Sequence, residues 1–438
     1  MMQPYASRRN DALATLTGGV AIVPSARTVL RNADSSYAFR QDSDFFYLTG
    51  FNEPDAVLVL APEHDQARSI LFMQRRDRDQ EVWTGGRLGV ERARETLLVD
   101  EAYPIDELEQ RLPDLLIGAT TMHYAFGTHG PVDRIVRNAL ETAREKTRRG
   151  GRSPYVVAEP SATLHLMRLR KTPDEIDVLR RACAITHAGH VAGMRATRAG
   201  AYEYTVQAAI ESEYRRLGAE SIAYESIVAT GDNATVLHYV DNRDRLEAGQ
   251  LLLVDSGCEL NCYATDVTRT WPVDGRFTPE QRALYDIVLA AQEAAIDRVR
   301  PGVPRNEFHD TAVRTIVEGL IDVGLLNGSV DENIASDAYR EYYMHGTGHW
   351  MGLDVHDAGP YRESDDTPLR LQPGMITTVE PGLYVRRDSN APERFRGIGI
   401  RIEDDILVTP VGYENLTAAI PKAPAEIEAL VGSATVPA

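Results

Sequence analysis

The chain has 438 residues, 43% of them hydrophobic and 26% charged, with a formal net charge of -18 at pH 7 and three cysteines. That length leaves room for two or three domains with sizeable cores. The acidic balance excludes sequence-independent binding to nucleic acid or to anionic membranes, both of which need a basic surface.

No apolar run approaches the roughly 18 residues that span a bilayer. Cys258 and Cys262 have no second pair to complete a zinc site, and three cysteines do not make a disulfide framework. At the N-terminus, Arg8-Arg9 ahead of the moderately apolar Ala12 to Val23 has the layout of a secretion signal, but Asp11 and Gly18-Gly19 interrupt it. The stretch reads as a short amphipathic helix, a Gly-Gly turn and a first strand, Val20 to Val23, in a cytoplasmic protein. Up to residue 168, strand-like runs at Ala56 to Leu60 and Ser69 to Met73 alternate with helical stretches at Val90 to Leu98 and Val132 to Lys146. This alternation predicts an α/β domain whose parallel or mixed sheet is covered by helices. The basic stretch Arg144 to Arg152 reads as a solvated helix end and loop, with a domain boundary soon after it.

A second domain, residues 169 to 438, opens at Thr172-Pro173-Asp174-Glu175, a capping box with proline at the first helical position, and its helix runs to about Arg198. The same device at Thr278-Pro279-Glu280-Gln281 starts a helix expected to reach Arg300 and stop at Pro301-Gly302. Strand runs follow at Ser226 to Thr230, Leu251 to Asp255, Asp266 to Trp271, Ile376 to Glu380 and Ile398 to Thr409. They predict an α+β domain with helices grouped on one side of a curved, largely antiparallel sheet.

Five residues of this half sit where burial gives them chemical meaning. Asp255 closes the apolar run Leu251 to Val254, and Asp266 opens the run Val267 to Trp271. A carboxylate buried at such a place needs a compensating cation. His349 lies in the glycine-rich string His345 to Gly352, Glu380 in Thr378-Val379-Glu380-Pro381-Gly382, and Glu403 in Gly399 to Asp405. Singly, an aspartate at a strand end is a turn or cap residue and a histidine among glycines is a loop residue. Together they form a hard, oxygen-rich donor set with too many anions for one divalent ion, so two ions sharing bridging carboxylates are expected. Water between such ions is acidified to a pKa of about 7, which is the chemistry of hydrolysis.

The motifs around these residues, VDSG, ATDVTRTW, HGTGHWMGLDVHD, TVEPGLY and RGIGIRIEDD, together with DSSYAFRQDSDFFYLTGFNEPDAVLVL near the N-terminus and ENLT near the C-terminus, resemble the aminopeptidase P family of the methionine aminopeptidase/creatinase clan over nearly the whole chain. The resemblance implies a creatinase-like first domain, residues 1 to 168, concerned with oligomerisation and substrate gating, and a pita-bread catalytic domain. It implies release of the N-terminal residue from peptides with proline second, using two divalent ions. Manganese is first among them, and cobalt, zinc and magnesium also suit the donors. Asp255 would serve one ion, Asp266 and Glu403 would bridge both, and His349 and Glu380 would complete the second, with Glu380 also the proton shuttle.

By the same resemblance, His356 matches a histidine facing the scissile carbonyl and His238 one lining the proline pocket. Arg401, two residues before Glu403, would share its strand face and orient a carboxylate or substrate. Tyr384 would close the site, and Trp83, in Glu81 to Gly89, stands where a neighbouring subunit's loop approaches substrate. Asp354, Asp357, Asp404 and Asp405 read as supporting or solvated groups. The partners are then peptides with penultimate proline and other copies of the chain in a homotetramer, with neither nucleic acid nor membrane among them. Two alternatives stand beside this: a prolidase acting on Xaa-Pro dipeptides, and a non-catalytic protein on the same fold, which predicts lost ligands. Trp350 after His349 and the wording RGIGIRIEDD favour aminopeptidase P over prolidase.

Overall fold

The chain divides into two compact units, Met1–Met167 and Arg168–Ala438. The computed structural model describes residues 2–16, 18–64 and 66–433 of them.

In the first unit, a helix at Gln3–Thr15 precedes a six-stranded sheet in the order Glu101–Pro104, Ser69–Met73, Val57–Leu60, Gly19–Pro24, Thr121–His123, Val156–Ala158. Val57–Leu60 is antiparallel to both of its neighbours, while the outer pairs are parallel, so the sheet is mixed. The parallel pair Thr121–His123 and Val156–Ala158 is joined by the helix Gly130–Thr147, the crossover that parallel pairing demands. Leu108, Leu112 and Leu116 recur every four residues on one helix and pack with Val136, Leu140 and Ala143 of another against Ile22, Val57, Val59, Ile70 and Phe72 of the sheet.

In the second unit the helix Pro173–Ala196 starts at its capping box, with the Thr172 N–H donating to Glu175 Oε2 at 2.9 Å. The helix Pro279–Ile296 ends four residues before Arg300. Its last turn tightens into bonds from Arg298 N–H to Ala295 O (3.0 Å) and Val299 N–H to Ile296 O (2.9 Å), because the residue before Pro301 is steered out of the helical region. Strand pairing in this unit is antiparallel and shared among several short sheets. Leu251–Asp255 lies between Ile227–Thr230 and Thr268–Pro272. Leu252 and Val254 on one face join a large core with Trp271, Leu284, Tyr285, Val313, Val317, Leu383 and Ile400, which leaves Asp255 on the other face.

The run Ile398 to Thr409, expected as one strand, is two. Ile398–Arg401 pairs with Gly382–Val385, and Asp404–Thr409 pairs with Ile376–Val379. The ladder is interrupted on both sides, at Glu380-Pro381 and at Ile402-Glu403, where Pro381 has no N–H to give. The freed N–H groups turn elsewhere: Ile402 to Pro381 O (3.3 Å) and Glu403 to Thr268 O (3.0 Å). The two glutamates therefore stand opposite each other at one break in a hairpin.

Candidate metal centre

That break opens onto a cavity of about 260 Å³ lined by Asp255, Asp266, His349, Glu380 and Glu403 together with Leu237, His238, His345, His356, Arg401 and two glycines. Asp255 arrives as the last residue of its strand, and Asp266 just before the strand paired with it. His349 is carried beside the strand Ile376–Val379, where its carbonyl accepts from Thr378 N–H (3.0 Å) and its N–H donates to Thr378 Oγ1 (3.1 Å). Position 348 has to be glycine for this approach, because a Cβ there would collide with the Thr378 carbonyl.

One donor atom each from Asp266, His349 and Glu403 lies within 4.8 Å of the others. His349 Nε2 is 3.2 Å from Asp266 Oδ2 and 3.6 Å from Glu380 Oε1. Its Nδ1 lies 3.0 Å from the Trp350 carbonyl, which can only accept, so Nδ1 carries a proton and Nε2 is the nitrogen available to an ion. Arg401 holds the opposite wall, with Nη2 donating to Asp255 Oδ2 (2.6 Å) and Nε to Thr268 Oγ1 (3.0 Å). Thr268 Oγ1 in turn donates to Glu403 Oε2 (2.7 Å).

The electrostatics describe a site short of positive charge. Burial and the neighbouring carboxylates push Glu403 well above the usual range. Burial also raises Asp255 against the pull of Arg401, and it takes Glu380 up to about 7, with Asp266 and Asp255 adding to the rise. For His349 burial acts downward, but the bond and charge of Asp266 and the charge of Glu380 outweigh it and raise the imidazole to about 9. Protons do the work that cations would otherwise do, and a hard divalent ion is the natural replacement for them.

His238 and His356 are exposed at the cavity wall. The His356 ring meets that of His349 edge-on at 4.2 Å, and burial followed by the His349 charge lowers its pKa. Tyr384 does not close the site. It is fully buried, and its hydroxyl accepts from Arg401 Nη1 (3.0 Å) and lies 2.8 Å from His345 Nε2, so it acts behind the wall. The shared strand face expected for Arg401 and Glu403 is replaced by the hairpin break, and Thr268 links the two instead. Trp83 belongs to the first unit, on the helix Arg78–Thr84, and is 85% exposed.

Of the four supporting acids, Asp357, Asp404 and Asp405 are buried, not solvated. Asp357 is paired with Lys171 (2.9 Å) and Arg168 (2.5 Å), Asp354 also with Arg168 (2.6 Å), and Asp405 Oδ2 accepts from Asp266 N–H (3.2 Å). Sequence reasoning missed Tyr224, whose hydroxyl lies 2.5 Å from Asp255 Oδ1 and 2.6 Å from Asp266 Oδ1. One of 19 tyrosines outside any motif carries no signal. It also passed over His345, which did have one, as the second histidine of the glycine-rich string.

Comparison with known proteins gives this geometry its relatives. The family model described as metallopeptidase family M24 matches residues 177–410, and that of the aminopeptidase P N-terminal domain matches residues 5–124. The chain is 46% identical over 430 residues to a Xaa-Pro aminopeptidase of Escherichia coli strain K12, covering 98% of this chain and 97% of that protein. It superposes on the Pseudomonas aeruginosa aminopeptidase PepP with a TM-score of 0.96 and 43% identity, covering 99% and 98% of the two chains. For a zinc-substituted Escherichia coli aminopeptidase P in complex with product, the TM-score is 0.95 and the identity 46%, covering 98% of each chain.

Proposed function

We propose the function of this chain on the premise of its family: it belongs to metallopeptidase family M24, with an aminopeptidase P N-terminal domain ahead of the catalytic unit, and it is a metal-dependent aminopeptidase. It releases the N-terminal residue from peptides whose second residue is proline, as the name of its Escherichia coli relative states for that protein. The observation that carries this reading is the convergence of five ligand-type side chains, short of positive charge, on one cavity of about 260 Å³.

Asp255 would hold one divalent ion, Asp266 and Glu403 would reach both, and His349 and Glu380 would complete the second. Bound there, such a pair supplies Lewis-acid polarisation and acidifies water to a pKa of about 7. Glu380, at the cavity wall, would take up a proton at its carboxylate and return it to the departing proline nitrogen. His356 offers an imidazole N–H where the substrate carbonyl gains charge. Leu237 and His238 line the wall that would receive the proline ring. An X-Pro bond is a tertiary amide without an N–H, so shape must select it where a donor cannot. Arg401 keeps Asp255 and Thr268 in place, and Tyr384 keeps Arg401 in place.

Manganese is the ion of this reading, supported by the oxygen-rich donors. The first unit, residues 1 to 168 in this reading, serves assembly of a homotetramer and gating, supported by Val82 and Trp83, which are 80% and 85% exposed. Trp83 would meet substrate in a neighbouring copy. A cytoplasmic location is supported by three buried thiols and by a set of described helices none of which is long and apolar enough to cross a membrane. The test is turnover of Xaa-Pro-Xaa and Xaa-Pro peptides by dialysed and by manganese-loaded protein. Metal-dependent cleavage of the tripeptide is expected, and turnover of the dipeptide alone would make the protein a prolidase.

A further inference from the structure

Arg305 is a cation without an acid. Among the described residues no carboxylate forms an ion pair with it, its Nε is buried without an acceptor, and burial lowers its pKa to about 10. The guanidinium lies against aromatic faces instead, 4.2 Å from the ring centre of Tyr361, 5.2 Å from that of Trp350 and 5.5 Å from that of Phe308. Tyr361 and Trp350 are themselves stacked, 5.7 Å apart at an interplanar angle of 6°. Arg305 Nη2 donates to the carbonyl of Gly348, the residue before His349. An apolar side chain would fill the same slot without leaving a charge desolvated; beyond its contact with the rings, what the guanidinium adds is this bond.

His309, four residues on and within the helix Asn306–Asp322, grips the preceding residue. Its Nδ1 is 2.7 Å from Thr347 Oγ1, which also lies 2.5 Å from the Tyr343 hydroxyl. From the other side, Glu380 N–H donates to the Thr347 carbonyl (2.9 Å) and His349 N–H to Thr378 Oγ1 (3.1 Å). The segment is rich in glycine and has few side chains of its own with which to hold itself. It is clamped between the strand that carries Glu380 and the start of this helix.

We infer that Arg305 and His309 are positioning residues of the metal centre. They fix Thr347 and Gly348 so that His349 presents Nε2 at the distance and angle an ion requires. The inference rests on the metal centre proposed above. Neither residue touches substrate or ion, and their action passes through the backbone on either side of His349. This is the kind of support whose loss costs about 10- to 100-fold in metal affinity.

The experiment uses dialysed full-length protein and Co²⁺, whose visible absorption reports the geometry of a histidine-liganded ion, alongside kcat and KM for a Xaa-Pro-Xaa peptide. Arg305→Met is expected to weaken Co²⁺ binding by about 10- to 100-fold, to shift the absorption band, and to lower kcat while KM stays near the parent value. Arg305→Lys is expected to recover part of each loss. An Arg305→Met protein with parental affinity and spectrum overturns the inference. If Arg305→Met does not fold, His309→Ala decides by the same readings, since it removes only the grip on Thr347. Failure of the parent protein to take up Co²⁺ is a different result, and it overturns the metal centre together with everything resting on it.

Discussion

Glu403 and Asp404 are neighbours in the chain, both fully buried, and they live in opposite electrostatic surroundings. Asp404 accepts from Arg269 Nη2 (2.6 Å), Lys422 Nζ (2.7 Å), Gln292 Nε2 (2.8 Å), Thr417 Oγ1 (2.8 Å) and Asn415 Nδ2 (3.0 Å). Burial alone would raise its pKa, but two cations and their hydrogen bonds hold it below the usual carboxylate range. Glu403 faces Asp266, Glu380 and Asp255, with Arg401 the cation that opposes them, and it is driven the other way. The difference teaches that a buried acid is not by itself the mark of a metal site. What sets Glu403 apart from Asp404 is that its charge is left largely uncompensated at the wall of a cavity it shares with four other donor side chains. The compensated cluster is also the platform for the other one, since Arg269 Nη1 donates to the carbonyls of Glu403 (2.5 Å) and Thr268 (3.0 Å).

The comparison can be broken by exchanging the fates of these two residues. Glu403→Gln is expected to have the largest effect on function, removing metal uptake and activity together. Its metal-free form should melt at or above the parent temperature, because folding no longer has to force a proton onto this buried acid. Asp404→Asn is expected to act on stability, by about 3–5 kcal/mol, because it strands the fully buried Arg269 in the interior. Denaturant unfolding of both variants, read with elemental analysis for bound metal, checks the pair. A destabilised Glu403→Gln beside a tolerated Asp404→Asn would mean that the charges are assigned the wrong way round.

Much of this was legible in the sequence, for local reasons. Capping boxes at Thr172 and Thr278 set the starts of two long helices, and acids or a histidine beside apolar runs pointed to five side chains that line one cavity. What could not be read was decided at a distance. The hairpin break that brings Glu403 to the cavity lies opposite Pro381, between the two partner strands, while the run Ile398 to Thr409 has no local signal for a stop. The compensation of Asp404 comes in part from Arg269, 135 positions away. Tyr384 sits in a strand facing inward, so its role behind Arg401 follows from tertiary packing alone.

The sign of the pH dependence follows from the same contrast. In the metal-free protein Glu380 is raised from 4.5 to about 7, so its folded form binds more protons than its unfolded form, and its contribution to stability falls as pH rises across that window. His349 is raised from 6.5 to about 9, so its contribution is complete below the lower value and is lost as pH rises through the upper one. A divalent ion must displace these protons. The most direct test is calorimetric titration of the dialysed protein with Mn²⁺ near neutral pH in two buffers of different protonation heat, repeated at about pH 6 and about pH 8. An uncompensated acid cluster predicts net proton release on binding and tighter binding at the higher pH. Binding without proton release, or affinity that falls as pH rises, would mean that the carboxylates are already ionised and compensated, and would contradict the account.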